Sequence, residues 1–233
     1  DLKEEDHLEH IFVTSTHHFL LFFTNKAKVF KMKVHQIGEY GRTARGQAIV
    51  NLLQVDKDEK IQAIIPVRNF EEGGYICTCT RKGIVKRSTL DAYANINING
   101  IIALTLRDDD ELVSVRRSPG NEELMIVSKL GMSIRFNEND AREMGRTATG
   151  VRGIKLRDDD YVVAMDSVSS GNQLLVVTEK GYGKRTELDQ YPLQNRGGFG
   201  VKTLQLTDKT GGIVGARLVM EDHELMVSTK QGT

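Results

Sequence analysis

The sequence predicts an all-β, propeller-like fold of four-stranded blades, each about 50 residues long, and three observations carry that reading. First, one basic hairpin motif returns along the chain: Thr24–Lys33 (TNKAKVFKMK), Thr80–Leu90 (TRKGIVKRSTL), Ser128–Asn137 (SKLGMSIRFN), Thr178–Leu188 (TEKGYGKRTEL) and Thr229–Thr233 (TKQGT). Its turn residues, Ala27, Gly83, Gly131, Gly181 and Gly232, are spaced by 56, 48, 50 and 51. Second, a glycine follows each of the first four turns at 19, 17, 19 and 19 residues: Gly46, Gly100, Gly150 and Gly200. Third, the chain holds only three prolines and no sustained apolar period of about 3.6 residues. Two coupled anchors at a near-constant offset are hard to obtain by chance.

Taken in order, a charged opening, Asp1 to Asp6, leads into the strand-like stretch His10–Ser15. Each repeat then begins with a β-rich run into the turn, such as Leu124-Met125-Ile126-Val127-Ser128 or Leu174-Leu175-Val176-Val177-Thr178. A similar run leaves it, as in Ile84-Val85-Lys86-Arg87; glycine at the turn supplies positive φ without steric cost. A polar connection follows, then the second anchor and a third run, Gly153-Ile154-Lys155-Leu156 or Thr203-Leu204-Gln205-Leu206. An acidic turn leads to a fourth, Tyr161-Val162-Val163-Ala164-Met165 in the third copy. Four strands per unit make one propeller-type blade. A single domain over 1–233 is expected, with repeats near 19–72, 73–122, 123–172 and 173–223 and the start of a fifth at 224–233. A blade cut after its hairpin would leave unpaired edges, so the sequence reads as a fragment, or the ordered part, of a longer chain.

Composition narrows the function classes. No run of about 18 apolar residues offers a membrane span, and the start carries no signal-peptide pattern, so a soluble chain without a membrane partner is expected. The two cysteines, Cys77 and Cys79, sit two apart in an apolar run, on one strand face; reduced, core-packed thiols are the expectation. Lys plus Arg and Asp plus Glu both number 32, so net charge is silent about partners, but its distribution is not. Segments 26–33, 81–87, 129–135 and 179–185 hold thirteen basic residues against one acid, Glu179. The acids gather at Asp56, Asp58 and Glu59, at Asp108 to Glu111, at Asp158 to Asp160 and at Asp208. In a ring this predicts a basic zone and a separate acidic zone.

The residue four past each turn is always basic: Lys31, Arg87, Arg135 and Arg185, with Lys86 and Lys184 preceding two of them. Around the second anchor stand Arg42 and Arg45 (GRTARG), Arg146 (GRTATG) and Arg196 (NRGGFG), with Arg152 and Lys202 just beyond. Small residues let backbone amides approach a phosphate while a guanidinium grips it as a fork. Any one of these cations is ordinary surface solvation; recurrence at one place in four units favours an anionic polymer for the set. Catalytic patterns are weak. The repeated Asp triplets read as turns, and His7 and His10 near Glu4, Glu5 and Asp6 have poor spacing for a metal. No Ser–His–Asp set, phosphate-binding P-loop or cysteine nucleophile can be assembled, so no cofactor, metal or enzymatic activity is expected of this domain.

Three runs, EYGRTARGQAIVNLL (39–53), MGRTATGVRGIKL (144–156) and EKGYGKRTELDQYP (179–192), closely resemble the C-terminal domain of the DNA gyrase A subunit. The resemblance implies a β-pinwheel, a propeller-like disc whose blades exchange strands with their neighbours, usually six in number. It implies wrapping of duplex DNA around a basic perimeter without sequence preference, in support of ATP-dependent negative supercoiling in the bacterial cytoplasm. The implied partners are the gyrase B subunit, together with the N-terminal domains of the chain's own subunit. The DNA-breaking tyrosine, ATP and Mg2+ then belong to other domains. In the family a seven-residue box, Q-R-R-G-G-K-G, imposes the handedness of wrapping and lies just upstream of this chain's first residue. Residues Gln194 to Gly200 (QNRGGFG) match five of its seven positions and read as a degenerate copy, with Asn195 and Phe199 in place of two cations. Two alternatives stay open. One is the related C-terminal domain of topoisomerase IV, against which the match over 39–53 weighs; the other is a protein-interaction propeller whose basic hairpins are mere surface.

Overall fold

A computed structural model describes residues 18–35 and 53–221. Sixteen strands occupy them: β1 (Phe19–Thr24), β2 (Lys28–Lys33), β3 (Ile61–Val67), β4 (Tyr75–Thr80), β5 (Ile84–Thr89), β6 (Ile101–Ile102), β7 (Leu112–Ser118) and β8 (Glu123–Ser128) come first. β9 (Met132–Asn137), β10 (Val151–Arg152), β11 (Val162–Ser167), β12 (Gln173–Thr178), β13 (Gly183–Glu187), β14 (Leu193–Gln194), β15 (Val201–Lys202) and β16 (Ile213–Val219) complete the set. They form four sheets, ordered β3-β1-β2-β6, β10-β5-β4-β7, β11-β8-β9-β14 with β15 also on β9, and β13-β12-β16. The long strands β3, β7, β11 and β16 pack side by side from sheet to sheet. The short strands β6, β10 and β15 lie at the opposite edge, and each belongs to the repeat after the hairpin it completes. Blades are therefore closed by strand exchange.

Each recurring feature of the sequence has a structural cause. The turn residues take positive φ: 61° at Ala27, 88° at Gly83, 93° at Gly131 and 86° at Gly181. The Ser or Thr heading each motif folds that turn, for Thr24, Thr80, Ser128 and Thr178 each accept, through the hydroxyl, the amide four residues on, at 3.1 to 3.2 Å. The turn carbonyl then receives the exchanged strand: Ala103, Gly153 and Thr203 donate their amides to Ala27, Gly83 and Gly131, each at 2.7 Å. A Cβ on Gly150 or Gly200 would fall inside the van der Waals shell of the Val85 or Ser133 carbonyl, so these anchors are glycine because strand exchange brings two backbones together. The turn residue of one repeat and the second anchor of the next are thus the two halves of one joint between blades.

The first strand of each hairpin is largely apolar because both of its faces are covered. Leu124 and Ile126 enter the core shared with the second sheet, while Met125 and Val127 enter the core shared with the fourth. Leu21 and Phe23 face the second sheet, and Leu20 and Phe22 pack with Phe30 and Leu53 on the other side. Alternation of period two thus survives as alternation between two cores rather than between core and solvent. Cys77 and Cys79 are buried and unbridged, as read from the sequence; Cys77 Sγ donates to Glu138, and burial pushes both thiols well above their usual range.

Candidate nucleic-acid interface

The hairpin turns and the acidic turns were expected in separate zones, and the structure corrects this. Each acidic turn packs against the hairpin turn beside it. Lys26 Nζ lies 2.8 Å from Asp58 and 3.5 Å from Asp56; Lys82 Nζ donates to the Asp108 carbonyl at 2.6 Å while Asp110 accepts the Lys82 amide at 3.0 Å. Asp160 accepts the Leu130 amide at 2.9 Å, and Lys180 Nζ donates to the Asp208 carbonyl. In the first three repeats a carboxylate of the acidic run orders the neighbouring turn, and in the fourth the Asp208 carbonyl does so. Lys26 is raised and Asp58 lowered from their usual values by the hydrogen bond they share.

The cation four past each turn is tied to the following repeat. Lys31 Nζ donates to the Ala94 carbonyl at 2.6 Å and lies 5.4 Å from the ring centres of Phe19 and Phe70. Arg87 Nε donates to the Ala141 carbonyl at 3.0 Å, stacks on Tyr75 and lies 3.8 Å from Glu138. Arg135 donates to the Leu188 and Tyr191 carbonyls at 3.2 and 3.1 Å and pairs with Glu123 at 2.7 Å. Ala94, Ala141 and Tyr191 each close a short 3₁₀ turn, at 90–93, 138–140 and 188–190. These turns leave carbonyls unsatisfied at their ends, and the recurring cation supplies the donor. Recurrence at this position thus has an architectural explanation in three repeats. Arg185 Nη1 lies 3.5 Å from the Glu221 carbonyl, and the residues that follow lie outside the described ones.

Lys86 is a second correction. Read as a DNA contact, it is buried, with relative exposure of 2%, and Nζ donates to the Ala103 and Arg146 carbonyls. Burial, with the Arg146 guanidinium nearby, pulls it down to about 7. No phosphate reaches such an ammonium without opening the joint. Its counterpart Lys184 makes the matching bond, to the Thr203 carbonyl at 3.2 Å, but is exposed. Arg146 and Arg196 are also counterparts: each Nη1 donates to the carbonyl of the second residue of an exchanged strand, Ile102 and Arg152 respectively. Both are half-buried staples that keep guanidinium edges near the rim.

What remains at the surface is a set on or beside the outer strands. Arg152 on β10 and Lys202 on β15 are exposed at equivalent positions, and Lys184 and Arg185 are exposed on β13. Gly198, beside them, has nothing within 4 Å of where a Cβ would stand, so the backbone there is open to approach. Arg42 and Arg45 lie outside the described residues. The sequence reading passed over Lys155 and Arg157, both exposed, which lie over the ring of Phe199 at 5.1 and 4.4 Å from its centre. Their signal was the alternation of 153–157, with Ile154 and Leu156 turned to the core and the two cations away from it. Among the described residues no group of three or more His, Cys, Asp or Glu could hold a metal, and no helix is long and apolar enough to cross a membrane.

A family model described as DNA gyrase C-terminal domain, beta-propeller, matches residues 18–68, 74–119, 122–169 and 172–220. The A subunit of DNA gyrase from Halalkalibacterium halodurans is 57% identical over 230 residues, which cover 99% of this chain and 28% of that protein. The chain thus spans little more than a quarter of the length of such curated relatives. Among solved structures, the C-terminal domain of a DNA topoisomerase IV superposes with a TM-score of 0.77 at 30% identity, covering 86% of this chain and 63% of that one. A DNA gyrase A C-terminal domain superposes with a TM-score of 0.75 at 28% identity, covering 90% and 68%.

Proposed function

The chain belongs to the DNA gyrase C-terminal domain family, and from that premise we propose that it binds duplex DNA along its outer strands and bends it around the disc. The observation that carries this is the pair Arg152 and Lys202, exposed at equivalent places on strands exchanged between blades, beside the open backbone of Gly198. Contacts spaced one blade apart follow a curve. A duplex that touches several of them must bend, and a bend of 40–90° over 20–30 base pairs costs on the order of 1–6 kcal/mol. Several phosphate contacts together offset that cost; one blade does not.

Nothing in the described residues resembles a recognition helix, so phosphate contact and duplex deformability set the affinity rather than base identity. Within a type II topoisomerase such a bend presents a second DNA segment with fixed handedness, and ATP-driven strand passage becomes negative supercoiling. In this reading the module itself has no catalytic group or cofactor. Its partners in the bacterial cytoplasm are duplex DNA, the gyrase B subunit, and the N-terminal domains of the polypeptide it belongs to; ATP and Mg2+ act at those other domains. A second reading, a topoisomerase IV-type module that binds and bends without imposing supercoiling, is supported by the 0.77 superposition.

A length series of end-labelled duplexes at fixed salt tests wrapping. Affinity rising faster than length, with the ends approaching, supports it; affinity flat per base pair with ends that never approach overturns it. Loss of negative supercoiling by the intact enzyme without this module favours the gyrase reading over the topoisomerase IV one. A chain that shifts no plain duplex at low salt returns the molecule to a protein-interaction propeller.

A further inference from the structure

The segment Gln194 to Gly200 reads in sequence as a weakened cationic box, because Asn195 and Phe199 stand where cations would. In the structure the charge at Phe199 is replaced from the preceding repeat. Lys155 Nζ and the Arg157 guanidinium lie over the Phe199 ring, at 5.1 and 4.4 Å from its centre. The two backbones are joined as well: Gly197 donates its amide to Gly153 at 2.7 Å, and Lys155 donates its amide to Gly198 at 2.8 Å. Arg196 closes the same joint through bonds of 2.9 Å to the Asp140 and Arg152 carbonyls. Neither Lys155 nor Arg157 is paired with a carboxylate among the described residues, although Asp158 and Asp159 follow in the exposed turn. The equivalent places one repeat earlier hold Thr105, Arg107 and Thr149, so no such platform exists there.

We propose that Lys155, Arg157 and the loop 194–200 form a composite clamp for the phosphates of duplex DNA, with Phe199 as the platform that holds its two cations outward. A ring face attracts cations without neutralising them, unlike a carboxylate, and it limits the freedom two long side chains would lose on binding. Backbone access at Gly198, where a Cβ would meet nothing within 4 Å, lets a phosphate come close beside them. The clamp rests on the DNA-binding reading and adds a local phosphate site to it.

The test is the salt dependence of duplex binding by the full 233-residue chain, for the unaltered protein and three variants, with circular dichroism to verify folding. Lys155→Gln with Arg157→Gln, both exposed changes, should flatten the log–log slope by about 1.8, from about 0.9 per contact. Phe199→Leu keeps both charges and an apolar side chain, yet should weaken binding about 2- to 5-fold, the scale of an exposed cation–π contact. Phe199→Lys separates the clamp from plain charge counting. Counting predicts tighter binding and a slope steeper by about 0.9, whereas loss of the ring and mutual repulsion predict weaker binding without a steeper slope. An unchanged slope in the double variant, or tighter binding by Phe199→Lys, overturns the clamp while leaving DNA binding intact. Failure of the unaltered chain to bind duplex at any salt overturns the DNA-binding reading, and the clamp with it.

Discussion

The pairs Lys86-Arg87 and Lys184-Arg185 occupy the same place in two hairpins and have opposite surroundings. On β5 the exchanged strand β10 and the 3₁₀ turn at 138–140 cover the pair, burying Lys86 and leaving the Arg87 side chain 11% exposed against Glu138. On β13, whose only strand partner among the described residues is β12, both members are exposed. The role of Lys86-Arg87 is thus set by what the next repeat lays over it, whereas the residues that follow Glu221 lie outside the described ones.

The widest divergence between the two should appear in stability. Arg87→Ala strands the Glu138 carboxylate in a site 1% exposed, and removing one partner of a buried pair costs about 3–5 kcal/mol. Glu138 retains bonds from Ser118, the Glu122 amide and Cys77, which places the loss near 3 kcal/mol, while Arg185→Ala should stay within about 0.5 kcal/mol. Urea unfolding of the two variants checks this, and equal losses would break the division.

A smaller effect should appear in pH dependence. With Lys86 drawn down to about 7 from an ordinary 10.5, the unfolded chain binds a proton that the folded chain lacks between those values. Stability from this group therefore rises with pH from about 7 toward 10.5 and is flat below, where both states are protonated. Lys86→Met should lose that rise relative to the unaltered chain when unfolding midpoints are followed between pH 7 and 10.

Much of this architecture was legible in the sequence, for a definite reason. Gly83, Gly131, Gly181, Gly150 and Gly200 are required by backbone geometry, which leaves a fixed residue at a fixed place. The first strand of each hairpin was equally plain, because burial of both faces makes Leu124 to Val127 apolar throughout, whereas the third run, read at 153–156 and 203–206, is strand only at 151–152 and 201–202. Strand exchange came only with the family resemblance and not from the local pattern, since β6, β10 and β15 are two residues long and carry no pattern of their own. The meaning of the cations was hidden by the same fact: Lys31, Arg87 and Arg135 recur because carbonyls of the next repeat need donors, and that need is invisible until the repeats are placed side by side. Phe199 read as the loss of a charge because Lys155 and Arg157 lie 44 and 42 residues before it.

The central claim is that the cations recurring beside the hairpin turns build the joints while those on the outer strands hold DNA, and the salt dependence of duplex binding tests it most directly. Replacing Arg152 and Lys202 together by Gln should flatten the log–log slope by up to about 1.8. Replacing Lys31 and Arg135 by Met, with folding verified, should change it by less than about 1. The reverse result, a slope that survives loss of the outer set and collapses with the joint set, would contradict the account.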